Sequence, residues 1–228
     1  MPDATPQNSA QRLDAIKAEM AKACAIAGRK NNDVALIAVS KTRSADEIRP
    51  LLESGHRIFG ENRVQEAAAK WPELRADYPD VELHLIGQLQ SNKAEEAVAL
   101  FDCIHSLDRM SLLEALARAV AKSGRSIPCF IQVNIGSEDQ KGGCAIAELP
   151  ALLAAAKEKG IKVCGLMCLP PADVEPAPYF ALLAELAARQ GIDQLSMGMS
   201  DDFETAIMLG ATHIRVGTAL FGERPSGV

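Results

Sequence analysis

No run of about 18 apolar residues occurs in the 228-residue chain, so no segment reads as a bilayer-spanning helix. The opening residues, MPDATPQNSAQRLD, contain neither a basic start nor an apolar stretch, and do not read as a secretion signal. Aromatic residues are scarce, at 4% of a chain that is 48% hydrophobic, so the core has to be aliphatic. Positive charge is in deficit: 24 Lys and Arg against 30 Asp and Glu leave a net charge of -6. That argues against a nucleic-acid partner, because phosphate backbones are held by a basic face that displaces counterions. A small anion stays open, since backbone amides bind phosphate without net positive charge. Cys-x-x-Cys spacing is also missing. The six cysteines (Cys24, Cys103, Cys129, Cys144, Cys164, Cys168) mostly sit in apolar segments and read as reduced thiols in a cytoplasmic protein, not as disulfides or metal ligands.

What is present is an alternation of short apolar runs with longer helical patterns, the rhythm of βα units. Strands are expected at 34–41, 56–60, 81–87, 103–107, 129–135, 162–169, 194–199 and 213–220. Helices are expected at 9–28, 44–54, 62–70, 91–100, 108–122, 147–159, 178–190 and 201–209. Ser44 and Glu47 form a capping box, Gly124, Gly160, Gly191 and Gly210 follow four helices as stops, and Pro50 should kink its helix. Asn62 with Gln65, and Ser106 or Asp108, read as further caps. No linker divides the chain, so residues 9–228 are expected to form a single (β/α)8 TIM barrel with an additional N-terminal helix, behind a flexible segment 1–8. An open doubly wound sheet has the same periodicity; the count of eight strands and the polar residues at their ends favour the barrel.

Barrel chemistry gathers at the C-terminal ends of the strands. Lys41 closes the first strand and by alternation shares a face with Ala35, Ile37 and Val39. If that face points inward, a partly desolvated amine is available as the neutral nucleophile that imine formation needs; otherwise Lys41 is a surface lysine. A second concentration is Ser196, Gly198 and Ser200 after the seventh strand, with Arg215, Gly217 and Thr218 on the eighth. Loops after the last two strands of a barrel often hold phosphate, with glycines admitting the backbone and hydroxyls donating; the same residues also suit an ordinary turn.

The segments Ala-Val-Ser-Lys-Thr (38–42), Phe-Gly-Glu-Asn-x-Val-Gln-Glu (59–66), His-x-Ile-Gly-x-Leu-Gln-Ser-Asn-Lys (84–93), His-Ser-Leu-Asp (105–108), Gln-Val-Asn-Ile (132–135), Gly-Leu-Met (165–167), Leu-Ser-Met-Gly-Met-Ser-Asp-Asp (195–202) and Arg-Val-Gly-Thr-Ala-Leu-Phe-Gly (215–222) occur in order. Together they strongly resemble the pyridoxal phosphate homeostasis protein family, whose barrel is akin to the N-terminal domain of alanine racemase. The resemblance implies that pyridoxal 5′-phosphate (PLP) is held as a Schiff base on Lys41, with Ser196, Ser200, Gly217 and Thr218 around its phosphate. Arg215 matches the arginine that faces the pyridine nitrogen, and Asn62, His84 and Met167 are implied as pocket wall. Gln88 and Gly143 depart from the proline and serine of the family pattern, and Asp173 and Glu175 match no motif.

The implied role is a carrier that buffers or delivers PLP, with PLP-dependent apo-enzymes as recipients, no committed reaction, and a monomeric or weakly dimeric state. An amino-acid racemase is the alternative, and it needs a second base opposite the lysine. A binder of another phosphorylated metabolite survives only if Lys41 forms no covalent bond.

Overall fold

The computed structural model describes residues 8–138 and 140–222. The expected flexible segment falls outside these residues except for Asn8. That residue is the N-cap of helix α1 (Ser9–Ile26): its side chain accepts from Gln11 N, and the Gln11 side chain accepts from Asn8 N.

Eight parallel strands follow, each preceding a helix: β1 (Ala35–Val39), α2 (Ala45–Glu53), β2 (Ile58–Glu61), α3 (Val64–Asp77), β3 (Glu82–Leu85), α4 (Ala94–Leu100), β4 (Cys103–Leu107), α5 (Met110–Ser123), β5 (Cys129–Gln132), α6 (Leu149–Glu158), β6 (Val163–Met167), α7 (Ala177–Arg189), β7 (Gln194–Ser196), α8 (Phe203–Met208), β8 (His213–Val216) and α9 (Thr218–Phe221). The strands pair in sequence order and β8 returns to β1, with Ala35 opposite His213 and Ile37 opposite Arg215, so the sheet is a closed barrel and not an open one. Helix α1 lies against α8 and α9, tied by Arg29 donating to Ile207 O and Arg12 to Leu220 O.

All eight strands fall where they were expected, but six end early, β1 at Val39 and β3 at Leu85 among them. β5, β6, β7 and β8 stop at Gln132, Met167, Ser196 and Val216, and the residues beyond them build the rim. Thr218, Ala219 and Leu220, expected to extend β8, instead form α9. Helix α3 runs past Lys70, and through Pro72, to Asp77. An interior proline costs a helix about 3 kcal/mol. Trp71 and Leu74, both fully buried, continue the apolar stripe of Val64 and Ala67, and their burial at about 1.5–3 kcal/mol each outweighs it. The capping box at Ser44 forms as expected. Asn62, Ser106 and Asp108 do not cap: Arg63 and Arg109 hold the N-cap positions, and Asp108 pairs with the Arg109 guanidinium at 2.6 Å.

The main apolar core lies between sheet and helices, and a smaller cluster of Cys103, Phe130 and Met167 sits apart from it. Contacts between strands that are not neighbours identify the barrel interior: His105 of β4 reaches Ser196 of β7, and Phe130 of β5 meets His213 of β8 at 5.0 Å between ring centres.

Candidate functional site

A cavity of about 450 Å³ opens at the C-terminal mouth of the barrel, within the usual size of a small-ligand site. Its walls come from residues at or just past strand ends, among them Val39, Lys41, Asn62, Ile86, Met167, Ser200, Gly217 and Thr218. Lys41 therefore belongs to the inward face and not to the outer surface. Lys41, Arg43 and Arg215 face a single carboxylate, Asp201, among the described lining residues, so the cavity suits an anion although the whole chain is acidic.

The turn that carries Lys41 is clamped from below. Thr42 adopts a positive φ of 61°, uncommon for a residue with a side chain, and its amide donates to the Glu66 carboxylate. Lys70 Nζ donates to Ser40 O (2.8 Å), Arg43 O (3.0 Å) and Glu66 Oε1 (3.0 Å), and pairs with Glu61 Oε1 at 2.9 Å. Glu61 is fully buried and also accepts from Ser40 Oγ and from Trp71 Nε1 at 3.0 Å. Burial pushes its carboxyl up, and the Lys70 ammonium opposes that rise. Sequence reading missed Glu61, Glu66 and Lys70 as site residues. The two glutamates lie inside a recognised segment, but nothing local marks Lys70 as the cation beneath the turn.

On the opposite wall, Arg215 is 4% exposed; Nη1 donates to Ser196 Oγ at 2.6 Å and Nη2 to Cys168 O at 2.9 Å. Ser200 Oγ accepts from Ala219 N, joining the loop after β7 to the start of α9. A Cβ on Gly217 would stand 3.3 Å from Val39 Cβ, so glycine lets this wall close against β1. Gln88 donates to Gln132, and Gln132 to Gly142 O, forming one side of the cavity.

Of the ten residues expected at the site, seven come together here: Lys41, Asn62, Met167, Ser200, Arg215, Gly217 and Thr218. His84, Ser196 and Gly198 are placed elsewhere. Two residues after His84, Ile86 lines the cavity, and alternation puts the imidazole one layer deeper, against His105 and Glu82. Ser196 is fully buried, with its hydroxyl between Arg215 and His105. Gly198 has φ +95°, and a Cβ there would strike Ala206 Cβ at 2.6 Å, so it serves the packing of α8.

His84, Cys103 and His105 bring potential metal-binding atoms within 4.8 Å of one another. His84 Nδ1 and His105 Nε2, however, are 2.8 Å apart, whereas two nitrogens on one tetrahedral zinc stand about 3.3 Å apart. That spacing fits a shared proton. All six cysteines are free, and burial pushes Cys168 and Cys144 each up to about 12.

The family described as "Alanine racemase, N-terminal domain" matches residues 11–225. A pyridoxal phosphate homeostasis protein of Pseudomonas aeruginosa is 41% identical over 224 residues, covering 96% of each chain, and one of Escherichia coli is 36% identical over 225 residues, covering 94% of this chain and 96% of its own. The chain belongs to the pyridoxal phosphate homeostasis protein family. Among solved structures, PipY of Synechococcus elongatus with PLP bound superposes with a TM-score of 0.82 at 40% identity, over 94% of this chain and all of PipY. Alanine racemase of Clostridium difficile, at 16% identity and a TM-score of 0.72, shares the fold over 57% of its own length and 96% of this chain. As a pyridoxal phosphate homeostasis family member, the chain is thus a barrel like that of the racemase domain, with no helix among the described residues long and apolar enough to cross a membrane.

Proposed function

We propose that this protein holds PLP as a Schiff base on Lys41, and buffers it or delivers it to PLP-dependent apo-enzymes in the cytoplasm without a committed reaction. The observation that carries the reading is the opening of Lys41, Arg215, Ser200 and Thr218 into one cavity, in a chain 40% identical to a protein solved with PLP bound. The donor set fits the group: an amine for an aldehyde, hydroxyls of Ser200 and Thr218 with cations for a phosphate, and a guanidinium for the ring nitrogen. Asn62 and Met167 complete the wall, and Gly217 leaves room for the backbone to approach the anion.

Bound PLP supplies an aldehyde and an electron-withdrawing ring. Arg215 sets how far that ring is used. A permanent cation beside the pyridine nitrogen opposes its protonation and weakens carbanion stabilisation, which favours holding the cofactor over turning over amino acids. A racemase also needs a base on the face opposite Lys41. The described lining residues include no tyrosine, histidine or cysteine; Tyr78 is the C-cap of α3 and Tyr179 lies in α7. We expect the chain to act as a monomer or weak dimer.

Borohydride reduction of the PLP-loaded protein followed by peptide mass analysis should place the pyridoxyl group on the Lys41 peptide, and Lys41→Ala should abolish it. An adduct on another lysine would overturn the assignment. Incubation with single amino acids and chiral analysis should show no racemisation; turnover near 1 per second, at the lower end of typical enzymes, would replace the carrier reading with an enzymatic one.

A further inference from the structure

Five side chains form an unbroken hydrogen-bonded chain through the barrel interior. Arg215 Nη1 lies 2.6 Å from Ser196 Oγ, His105 Nδ1 lies 2.8 Å from the same oxygen, His105 Nε2 and His84 Nδ1 are 2.8 Å apart, and His84 Nε2 is 2.8 Å from Glu82 Oε1. One end lines the cavity at the barrel mouth. The other is the first residue of β3, with its side chain 52% exposed on the opposite face.

Both ends set the direction of the protons between them. A guanidinium has no acceptor, so Arg215 donates to Ser196 Oγ, and the single hydroxyl proton goes to His105 Nδ1. Neutral His105 then carries its proton on Nε2 and donates to His84 Nδ1, and His84 donates from Nε2 to Glu82. At that end an ionised carboxylate accepts only. The bond from His84 holds the Glu82 carboxyl below its usual value. Burial, with the neighbouring His84, His213 and Arg215, keeps His105 well below the ordinary imidazole range.

The other titratable and charged groups around the chain, among the described residues, are Lys41, Arg43 and Asp201, which share the cavity with Arg215, His213 of β8, 6.2 and 6.0 Å from the His84 and His105 rings, the thiols of Cys103, Cys129, Cys164 and Cys168, and Asp202 near Arg215. Burial holds Cys129 and Cys168 in their neutral forms. None of these groups interrupts the chain.

We propose that Ser196, His105, His84 and Glu82 are positioning residues that aim the Arg215 guanidinium at the cavity and link it to the ionisation of Glu82 on the far face of the barrel. Its effect on a cofactor rests on the reading that PLP occupies the cavity; the proton order itself does not. The first test therefore uses the PLP-free protein. Nitrogen-15 spectra of the histidine rings should show a proton on Nε2 of both His84 and His105 and none on Nδ1 of His105, and Ser196→Ala should release His105 into a mixture of tautomers. A wild-type His105 protonated on Nδ1 would overturn the proposal.

The second test follows the absorbance of bound PLP against pH. Glu82→Gln removes the anion that favours positive charge along the chain, so the midpoint should fall by about half a pH unit, a threefold change in proton affinity. Glu158→Gln removes an exposed carboxylate at the end of α6 and should leave the midpoint in place. An unmoved midpoint in Glu82→Gln, or an equal shift in both variants, would overturn the link. If no PLP band forms at all, the functional reading fails while the ring spectra still decide the chain.

Discussion

Lys70 supports the site from a distance of 29 positions along the chain. Its ammonium serves two backbone oxygens of the Lys41 turn and two buried or half-buried carboxylates. Replacing it by Met keeps the stem but leaves Glu61, fully buried, without its cation. Unpairing a buried charge costs several kcal/mol, moderated here because Glu61 can take up a proton, so Lys70→Met should lower the unfolding free energy in urea by about 2–4 kcal/mol. The freed turn should also weaken PLP loading about tenfold, near 1.4 kcal/mol. The double variant Lys70→Met with Glu61→Gln should regain part of the stability, because the uncompensated charge is gone; no recovery would mean that the backbone contacts alone matter. At this scale the place of Lys41 in the cavity wall was legible, since it follows an apolar strand on the inward parity, although the strand itself stops at Val39. Lys70 was not, because its partners are fixed only when α3 packs beneath the turn after β1. His84 was misplaced by one layer: parity says which face a side chain takes, not how deep along the barrel it sits.

At the scale of elements, apolar runs announced all eight strands but not where they stop. Thr218, Ala219 and Leu220 continue the apolar pattern of β8, yet the barrel ends at Val216, and Gly217 starts a helix. A run of apolar residues reports burial, whereas a strand end is set by its neighbours in the sheet. Glycines at loop turns show a related limit, since the same residue type marks two different constraints. Gly124 has φ +67°, and a Cβ there would meet nothing within 4 Å, so Gly124→Ala should cost only about 1 kcal/mol of backbone strain. At Gly198 a Cβ would meet Ala206 at 2.6 Å and Phe203 Cα at 3.1 Å, with φ at +95°. Gly198→Ala should add overpacking of about 1–3 kcal/mol to that strain and displace the loop bearing Ser200. Urea unfolding of the two variants side by side checks the contrast; equal costs would show that α8 yields freely.

For the whole molecule, periodicity left a closed barrel and an open sheet both standing, because closure depends on β1 meeting β8 across nearly the full chain. Nor did it show that the interior would hold imidazoles, since alternation predicts an inward position without predicting that three histidines converge there. Two of these interior histidines, together with His56, which packs against Phe59 in the core between sheet and helices, have a consequence for acid stability. Burial drives His56 and His213 down to about 4, and His105 well below its ordinary value. In the unfolded chain all three titrate near 6.5, so between about pH 6.5 and 4 the unfolded state binds more protons than the folded one, and stability must fall as pH falls. For His56 the loss at pH 5 is about 2 kcal/mol, or roughly 4–8 °C in Tm for a chain of this size. Glu82 acts in the same direction over a lower window: its carboxyl is depressed in the fold, so its contribution is present above about 4.5 and disappears as pH drops through the folded value. Calorimetry from pH 7 to 5 should therefore show a steadily falling Tm, and His56→Gln, which cannot take up a proton, should flatten that slope by about a third. A Tm constant over this range would require the buried histidines to be protonated in the folded state, and the neutral, ordered imidazoles of the barrel interior could not then be maintained.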